Sequence, residues 1–332
     1  MPGFATPPPH SPIGPGKVER RRLWPVAVQI LGTGVLVGLL VRFVPVDEVL
    51  AHLHRASIGL VVAGVALAMM TRFVFAADRW RRIMRAMDMH LGVPGALFVW
   101  LGSYAVREVL PFKSGDLAKV LYLQLWGGHR ADRVASTLVY DRANNLLAIL
   151  LLMLLGSVAA REQVPLALIP VSLLAGLGMV LLLVSQRVRE LVLLPFGRVG
   201  GRAARIAEGL LSTWQELPAG KKAGLLLYAT CAQMLRVSVL WCMLRAVGVL
   251  VPISALFFLG ALSMLVTNAP VSVAGVGTRE GSVTLLFASF GDRSSLLAAA
   301  VLYTLAELIV PVAASLPFAP IFLGRCARRK PT

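Results

Sequence analysis

Two apolar stretches of the chain are each interrupted by a short segment that combines proline, glycine, a base and an acid. The first segment spans residues 107–116 and reads REVLPFKSGD, and the second spans residues 268–280 and reads NAPVSVAGVGTRE. Proline and glycine interrupt helices, and charged residues inside apolar spans usually mark substrate or ion pathways. Broken helices at matching places in two halves of a membrane protein indicate a transporter's substrate site.

Each break is followed by residues that suit the start of a helix. Ser114 or Gly115 can begin the helix after the first break, and Thr278 the helix after the second, with Asp116 and Glu280 in the first turns. Half of a hydrocarbon core of roughly 30 Å holds about ten helical residues, so each returning helix would start inside the membrane. Free N–H groups and positive dipole ends would then point to the protein centre, which predicts an anion site.

The apolar segments hold an unusual number of ionisable residues near this centre. The basic ones are Arg72, Arg107, Lys113, Lys119, Arg142, Arg236 and Arg279, and the acidic ones are Glu108, Asp116, Asp141, Glu280 and Glu307. One charge at a helix centre costs roughly 2.5–3.5 kcal/mol on insertion scales, so these side chains must pair, meet water or meet a ligand. The bases outnumber the acids by two, which favours an anionic guest, most simply a phosphate.

A purely structural explanation is also open for these features. Three adjacent pairs could be salt-bridged helix ends: Arg107–Glu108, Asp141–Arg142 and Arg279–Glu280. Pro111 and Pro270 could be simple kinks, which membrane helices tolerate. The joint occurrence of two such motifs favours a functional site, with structural parts at Pro111, Gly115, Pro270, Gly275 and Gly277.

Composition indicates an all-α polytopic membrane protein. The chain has 332 residues, of which 57% are hydrophobic and 15% charged, and several apolar runs approach the length of a membrane span. The net charge of +17 lies in short blocks between apolar segments, which excludes a nucleic-acid-binding domain. The three cysteines and five histidines form no metal or disulfide pattern, and we expect no cofactor.

Hydropathy predicts six full spans, at 24–44, 58–77, 134–159, 164–184, 223–247 and 296–320. The broken regions 95–128 and 253–290 are each either a re-entrant hairpin or two full spans. Two hairpins put nearly all basic blocks, including 79–85, on the cytoplasmic side, as the positive-inside rule expects. Both termini are then cytoplasmic.

This topology contains two copies of span, hairpin and span in opposite orientation, at about 58–159 and 223–320. The predicted organisation is a disordered cytoplasmic N-terminus at 1–22, one transmembrane domain at 23–323 and a basic cytoplasmic tail at 324–332. A cytoplasmic amphipathic segment is expected at about 185–222. Trp24, Trp80 and Trp100 are predicted as interfacial anchors, and Asn144 and Asn145 as helix–helix contacts.

The two motifs resemble those of the flippase-like membrane family that includes the transmembrane region of lysylphosphatidylglycerol synthase. That family typically shows a Leu-Pro-x-Arg-x-Gly-Asp/Glu stretch, a Glu-Arg-x-x-Asp helix and a Pro-x-x-x-x-Gly-x-Gly-x-Arg-Glu signature. The matching residues are Leu110, Pro111, Gly115 and Asp116, then Asp141 and Arg142, then Pro270, Gly275, Gly277, Arg279 and Glu280. Lys113 stands where Arg is usual, and Asn145 where an acid is usual. The resemblance covers roughly residues 20–325.

The resemblance implies a multi-pass protein of the bacterial inner membrane that moves an anionic or phosphate-bearing lipid between leaflets. Arg279, Lys113 and Arg142 would hold the phosphate, and Glu280, Asp116 and Asp141 would position these bases and are candidates for proton coupling. Arg107 and Glu307 complete the expected site. Synthase activity is not expected, because only a short basic tail follows the last span.

Two alternatives to lipid translocation stay open. The first is a membrane-embedded transferase acting on a lipid phosphate, with Asp116, Asp141 or Glu280 as acid or base. The second is a non-catalytic membrane partner of a cell-envelope or hopanoid-lipid pathway. The sequence contains no recognisable nucleophile constellation, so we expect no enzyme, and it does not fix the oligomeric state.

Overall fold

The structure is a computed structural model that describes residues 46–109, 115–159, 217–268 and 272–328, together with a few single residues elsewhere that include Thr33. The predicted N-terminal tail and, apart from a few single residues, the spans 24–44 and 164–184 and most of the amphipathic segment lie outside the described residues. Of the predicted tail 324–332, residues 324–328 are part of a helix and the rest lie outside the described residues. So do Pro111, Lys113, Ser114 and Pro270. The described part of the chain is helical and contains no strand, which confirms the all-α prediction.

The described residues form mainly helices. They are α1 Val46–His54, α2 Ile58–Ala86, α3 Val93–Val109, α4 Asp116–Gly127, α5 Ala131–Ala159, α6 Ala219–Ala246, α7 Ile253–Asn268, α8 Thr278–Leu286, α9 Arg293–Ser315 and α10 Phe318–Arg328. Gly128 and Gly248 follow α4 and α6 with positive φ, which suits glycine at a helix end. Asp292 caps α9 by accepting the N–H of Ser295 at 3.0 Å.

Four of these helices, α2, α5, α6 and α9, are long and apolar enough to cross a membrane. They correspond to the predicted spans 58–77, 134–159, 223–247 and 296–320, which are therefore confirmed as apolar helices. Two boundaries differ. Helix α2 continues to Ala86, and α9 ends at Ser315 because Pro317 has no N–H to continue the hydrogen-bond ladder.

Both broken regions consist of two helices around the predicted break. The first comprises α3 and α4, and the second comprises α7 and α8, with a short 3₁₀ turn at Val273–Gly275 before α8. The outgoing helices α4 and α8 have 12 and 9 residues, close to the expected half-helix length. The incoming helices α3 and α7 are longer, with 17 and 16 residues, or about 25 Å at 1.5 Å per residue.

Two of the long helices contain a π-helical segment. In α2 it covers Met70–Phe75, and in α9 it covers Leu305–Ile309. A π-helical segment inside an α-helix locally widens the helix and is frequent at functional sites. These two segments carry Arg72 and Glu307, the two charged residues nearest the middle of their helices.

The described helices pack around two large apolar clusters and two smaller ones. The largest joins α2, α5, α6, α7, α8 and α9, and the backbones of α5 and α7 approach so closely that a Cβ at Gly156 would lie 2.7 Å from the Phe258 nitrogen. The second cluster joins α2, α3, α4, α5 and α10. It buries Trp80 and Trp100, so the prediction of interfacial anchors is wrong for both. Their indole N–H groups donate to Thr137 Oγ1 and to the carbonyl of Arg72.

Candidate functional site

A cavity of about 530 Å³ lies among the helices that carry the predicted site residues. Its wall includes residues from both broken regions and from α2, α5, α6 and α9. The charged groups in this wall are six guanidiniums, of Arg72, Arg79, Arg107, Arg142, Arg236 and Arg279, and four carboxylates, of Glu108, Asp116, Asp141 and Glu307. The positive excess predicted from the sequence is therefore present around one cavity.

Glu307 connects α9 to α2 and α6. Its Oε2 accepts hydrogen bonds from Arg72 and from Arg236, the latter with Nη2 at 2.8 Å and Nε at 3.1 Å. The Glu307 side chain is fully enclosed. A carboxylate at this depth is tolerable because two cations contact it, and the triad keeps one positive charge in excess.

Asp141 on α5 pairs with Arg79 of α2, not with its neighbour Arg142. Arg79 donates Nε to Oδ1 at 2.7 Å and Nη2 to Oδ2 at 3.1 Å, a bidentate arrangement. Arg79 Nη1 also donates to Asn145 Oδ1 at 2.8 Å, and the same oxygen accepts from Gln233 of α6. Arg79 of the basic block 79–85 is therefore buried against α5 and belongs to this network.

The network from Asp141 continues to Glu307. Gln233 accepts from Arg236 Nη1 at 3.1 Å, and Arg236 in turn contacts Glu307. Asn145, which stands where the resembled family has an acid, joins α2, α5 and α6 through its amide oxygen. Asn144 donates to the Leu225 carbonyl at 3.1 Å. Both asparagines thus make helix–helix hydrogen bonds, as predicted.

Asp116, the first residue of α4, holds two cations. Arg142 of α5 donates to its Oδ2, and Lys119 Nζ lies 2.8 Å from its Oδ1. The Lys119 ammonium is fully buried and lies 3.6 Å from the ring centroid of Trp100, a cation–π contact. The acid after the first break therefore contacts Arg142 at the cavity wall.

Arg107 and Glu108 form an ion pair with each other at the end of α3, with Arg107 Nε 3.1 Å from Glu108 Oε1. The Arg107 guanidinium also lies 4.7 Å from the Tyr104 ring centroid. Gly115 fits tightly against this helix, because a Cβ there would lie 2.4 Å from the Arg107 nitrogen. A larger residue would push the start of α4 away from α3, which explains the glycine at this break.

The second break positions Arg279 through backbone geometry and one shared hydroxyl. Gly275 and Gly277 have φ values of 80° and 84°, which favour glycine, and a Cβ at Gly275 would lie 2.6 Å from Thr267 Cγ2. Glu280 accepts the N–H of Gly277 at 2.6 Å, so one N–H at the start of α8 is already satisfied. Thr304 of α9 donates to Glu280 and accepts from Arg279 Nη1 at 3.1 Å.

Arg279 is buried, with 5% of its surface exposed, and forms no salt bridge with any residue that the structure describes. Its other contacts are a hydrogen bond from Nη2 to the Ala274 carbonyl at 3.4 Å and the Tyr303 ring, 5.8 Å away. A buried cation held only by neutral groups at a cavity wall is suited to an incoming anion.

Sequence reasoning found the charged residues but not all of their partners. Of the three adjacent pairs, only Arg107–Glu108 is bonded internally. Asp141 and Arg142 have separate partners, whereas Arg279 and Glu280 both bond to the Thr304 hydroxyl. Thr304 and Gln233 were missed, because neutral polar residues in apolar helices carry no distinctive spacing. Within the described residues no group of three His, Cys, Asp or Glu side chains could hold a metal ion.

Comparison with known protein families gives one match. The family model described as the lysylphosphatidylglycerol synthase TM region matches residues 26–315, which include both breaks and every charged residue of the cavity wall. The resemblance inferred from the motifs is thereby confirmed. A search of curated proteins finds none that matches the chain. The apolar helices and this match together identify a multi-pass membrane protein.

Proposed function

Because the chain belongs to the family of the lysylphosphatidylglycerol synthase transmembrane region, which is tied to lipid metabolism or transport, we propose that it moves an anionic, phosphate-bearing lipid between the leaflets of the membrane. The chain itself makes and breaks no covalent bond in this proposal. The membrane is the bacterial inner membrane, and both termini lie on its cytoplasmic side.

The observation that carries the proposal is Arg279. It is a buried guanidinium on the cavity wall whose partners, among the described residues, are neutral. The wall around it holds more guanidiniums than carboxylates. A phosphate group would supply the missing negative charge, and the planar guanidinium suits two of its oxygens.

The route across the membrane follows from the two broken regions. We propose that α3–α4 and α7–α8 are re-entrant hairpins of an inverted repeat, so that the cavity lies near the bilayer midplane. Arg142 is the most exposed of the cavity arginines that have a carboxylate partner, with 42% of its side chain exposed, and would meet the head group first. The acyl or isoprenoid chains stay in the lipid while the head group passes through the cavity.

The proposal is tested with purified protein in liposomes that contain fluorescent phosphatidylglycerol, with dithionite added outside to bleach the exposed leaflet. Wild-type protein should make the inner-leaflet probe accessible. Arg279→Ala should slow this by about tenfold or more, since hydrogen bonds to charged groups contribute about 1.5–3 kcal/mol. Arg279→Lys should retain part of the transport rate, because lysine keeps the positive charge but cannot donate the paired hydrogen bonds of a guanidinium.

Arg293→Ala is the matched control, because Arg293 is an exposed arginine outside the cavity wall. Its transport rate should equal that of wild type. Absence of lipid movement by the wild-type protein, or equal rates for Arg279→Ala and wild type, would overturn the proposal. Mass spectrometry of the recovered lipids covers the transferase alternative, because a chemically altered lipid would mean catalysis.

A further inference from the structure

The triad of Glu307, Arg72 and Arg236 is incompletely hydrogen-bonded. Both arginines donate to the same carboxylate oxygen, Oε2. The other oxygen, Oε1, is buried and has no hydrogen-bond partner among the described residues, and the same is true of Arg72 Nε. Buried polar atoms are nearly always paired, so an unpaired acceptor and an unpaired donor in one triad indicate a further group. All three residues line the cavity, where that group can enter.

A phosphate in the cavity competes with Glu307 for these arginines. Arg72 and Arg236 are the guanidiniums that Glu307 now occupies, and Arg279 is near enough to interact electrostatically with the same carboxylate. Guanidiniums bind phosphate oxygens in the bidentate manner in which they bind carboxylates. Arg236 already uses Nε and Nη2 on Glu307 and Nη1 on Gln233. A phosphate that binds Arg236 in this bidentate manner therefore displaces the carboxylate.

Among the described residues, Arg279 also interacts electrostatically with the Glu307 carboxylate, but the bound phosphate engages that guanidinium as well. Tyr104 donates to the backbone carbonyl of Glu307 at 3.4 Å, not to its side chain. The ring of Tyr303, which is on α9 like Glu307, faces the Arg279 guanidinium. A buried carboxylate that loses its cations and faces a second anion is strongly disfavoured and becomes neutral by taking up a proton.

We propose that binding of a phosphodiester head group in the cavity is coupled to uptake of one proton by Glu307. The ligand brings one negative charge, and an O–H bond forms at Oε1 with a proton from the water that reaches the cavity. No bond to phosphorus forms or breaks. Release of the head group returns Arg72 and Arg236 to Glu307, and the proton leaves. The inference rests on the proposed function, which makes the phosphodiester part of a lipid. It adds that a proton accompanies this lipid.

Proton uptake is measured by isothermal titration calorimetry in two buffers whose ionisation enthalpies differ. The probe is a short-chain, ether-linked phosphatidylglycerol, whose phosphodiester does not titrate near neutral pH. Any uptake therefore belongs to the protein. Wild-type protein should take up about one proton per bound lipid. Glycerophosphoglycerol, the same head group without chains, is titrated in parallel and tells whether a free phosphodiester is sufficient.

Two glutamate variants assign the proton. Glu307→Gln should reduce uptake to nearly zero, and its lipid affinity should no longer vary with pH. Glu48→Gln makes the same substitution at an exposed glutamate of α1 and should retain the wild-type uptake. An infrared difference spectrum of wild-type protein needs no variant: binding should add a protonated-carboxyl band, which the ether lipid, lacking ester carbonyls, cannot contribute.

The outcomes separate the two proposals. Lipid binding with heats that are equal in both buffers and no new carboxyl band would overturn the proton coupling and leave the lipid proposal intact. Uptake that persists in Glu307→Gln would also overturn it. Coupled uptake with glycerophosphoglycerol equal to that with the lipid would support the coupling and contradict a lipid-specific ligand. No binding of either probe by wild type would contradict both proposals.

Discussion

Arg72 and Glu307 are 235 positions apart in the chain and form an ion pair between the π-helical segments of α2 and α9. Each residue belongs to a long apolar helix, and each lies where the regular hydrogen-bond ladder is relaxed. The pair therefore connects the first and the last of the described membrane-length helices at the cavity. Relaxed backbone and paired charge at one place indicate a site that can rearrange when an anion enters.

Removal of one member of this triad should destabilise the fold. Arg236→Gln leaves Glu307 with Arg72 alone, and breaking a buried ion pair typically costs about 3–5 kcal/mol. We expect a clearly lower midpoint of thermal unfolding in detergent than for wild type. The double variant Arg236→Gln/Glu307→Gln leaves Arg72 without its carboxylate partner and should be less stable still, because a buried cation is then unpaired.

Arg293→Gln is the control for the loss of an arginine as such, and its unfolding midpoint should not change. Equal midpoints for Arg236→Gln and Arg293→Gln would contradict the interpretation of the triad as a coupled unit. A double variant as stable as Arg236→Gln would mean that Arg72 does not depend on the Glu307 carboxylate for its burial.

Two glycines close to the second break should respond in opposite ways to alanine. Gly275 has φ of 80° and no room for a Cβ, so Gly275→Ala should destabilise by about 1–2 kcal/mol from backbone strain alone. Gly281 lies inside α8 with open space around it, so Gly281→Ala should be neutral or stabilising by up to about 1 kcal/mol. Lipid movement should fall only in Gly275→Ala, because Gly275 adjoins the Arg279 guanidinium.

Thermal unfolding and liposome transport of both variants check this pair. Equal unfolding midpoints would mean that the turn before α8 adapts to a side chain. If Gly281→Ala were fully stable but lost transport, the methyl group would have to disturb a contact that is absent from the open space around Gly281.

The sequence predicted the breaks well because proline and glycine act locally. The four described spans were found from their apolar runs, and both helix pairs begin and end close to the predicted segments. Partners of the charges were harder to predict. Neighbouring residues on a helix point about 100° apart, so Asp141 and Arg142 meet different helices.

Arg79 and the two tryptophans show why tertiary contacts override local pattern. Arg79 stands in the basic run RWRRIMR, which is typical of a cytoplasmic helix end, and only the carboxylate of Asp141 on another helix explains its burial. The burial of Trp80 and Trp100 is likewise explained by a partner on another helix, because both rings contact the Lys119 ammonium of α4. The π-helical segments have no sequence signature, so the meeting of Arg72 with Glu307 could not be predicted.

Lys119 should act as a positioning residue. Lys119→Met removes the ammonium that contacts Asp116 and Trp100, while the apolar stem keeps its packing. Arg142 would then be the one remaining cation that contacts Asp116 among the described residues. We expect the free energy of unfolding to fall by about 1–3 kcal/mol. Transport should weaken mainly through lower lipid affinity. Lys119→Arg should restore more of the affinity than Lys119→Met if the charge matters; equal affinities would contradict this role.

Asp292 should stabilise α9 in a pH-dependent way. Hydrogen bonds from the side chains of Ser294 and Ser295 hold the pKa of Asp292 well below its usual range, and its carboxylate also accepts the Ser295 N–H at 3.0 Å. Because the folded-state pKa is lowered, the contribution is present above the unfolded-state pKa and is lost as pH falls towards the folded-state pKa. Asp292→Ala should cost about 1 kcal/mol at neutral pH, as for other N-caps.

The pH dependence distinguishes capping from a general effect of the substitution. The difference in unfolding midpoint between wild type and Asp292→Ala should shrink as pH falls through the acid range, because only the wild type loses a carboxylate there. Asp292→Asn retains a capping oxygen and should lie between the two at neutral pH, with little dependence on pH. A constant difference at every pH would mean that the charge of Asp292 contributes nothing and that only the geometry of the cap stabilises the first turn of α9.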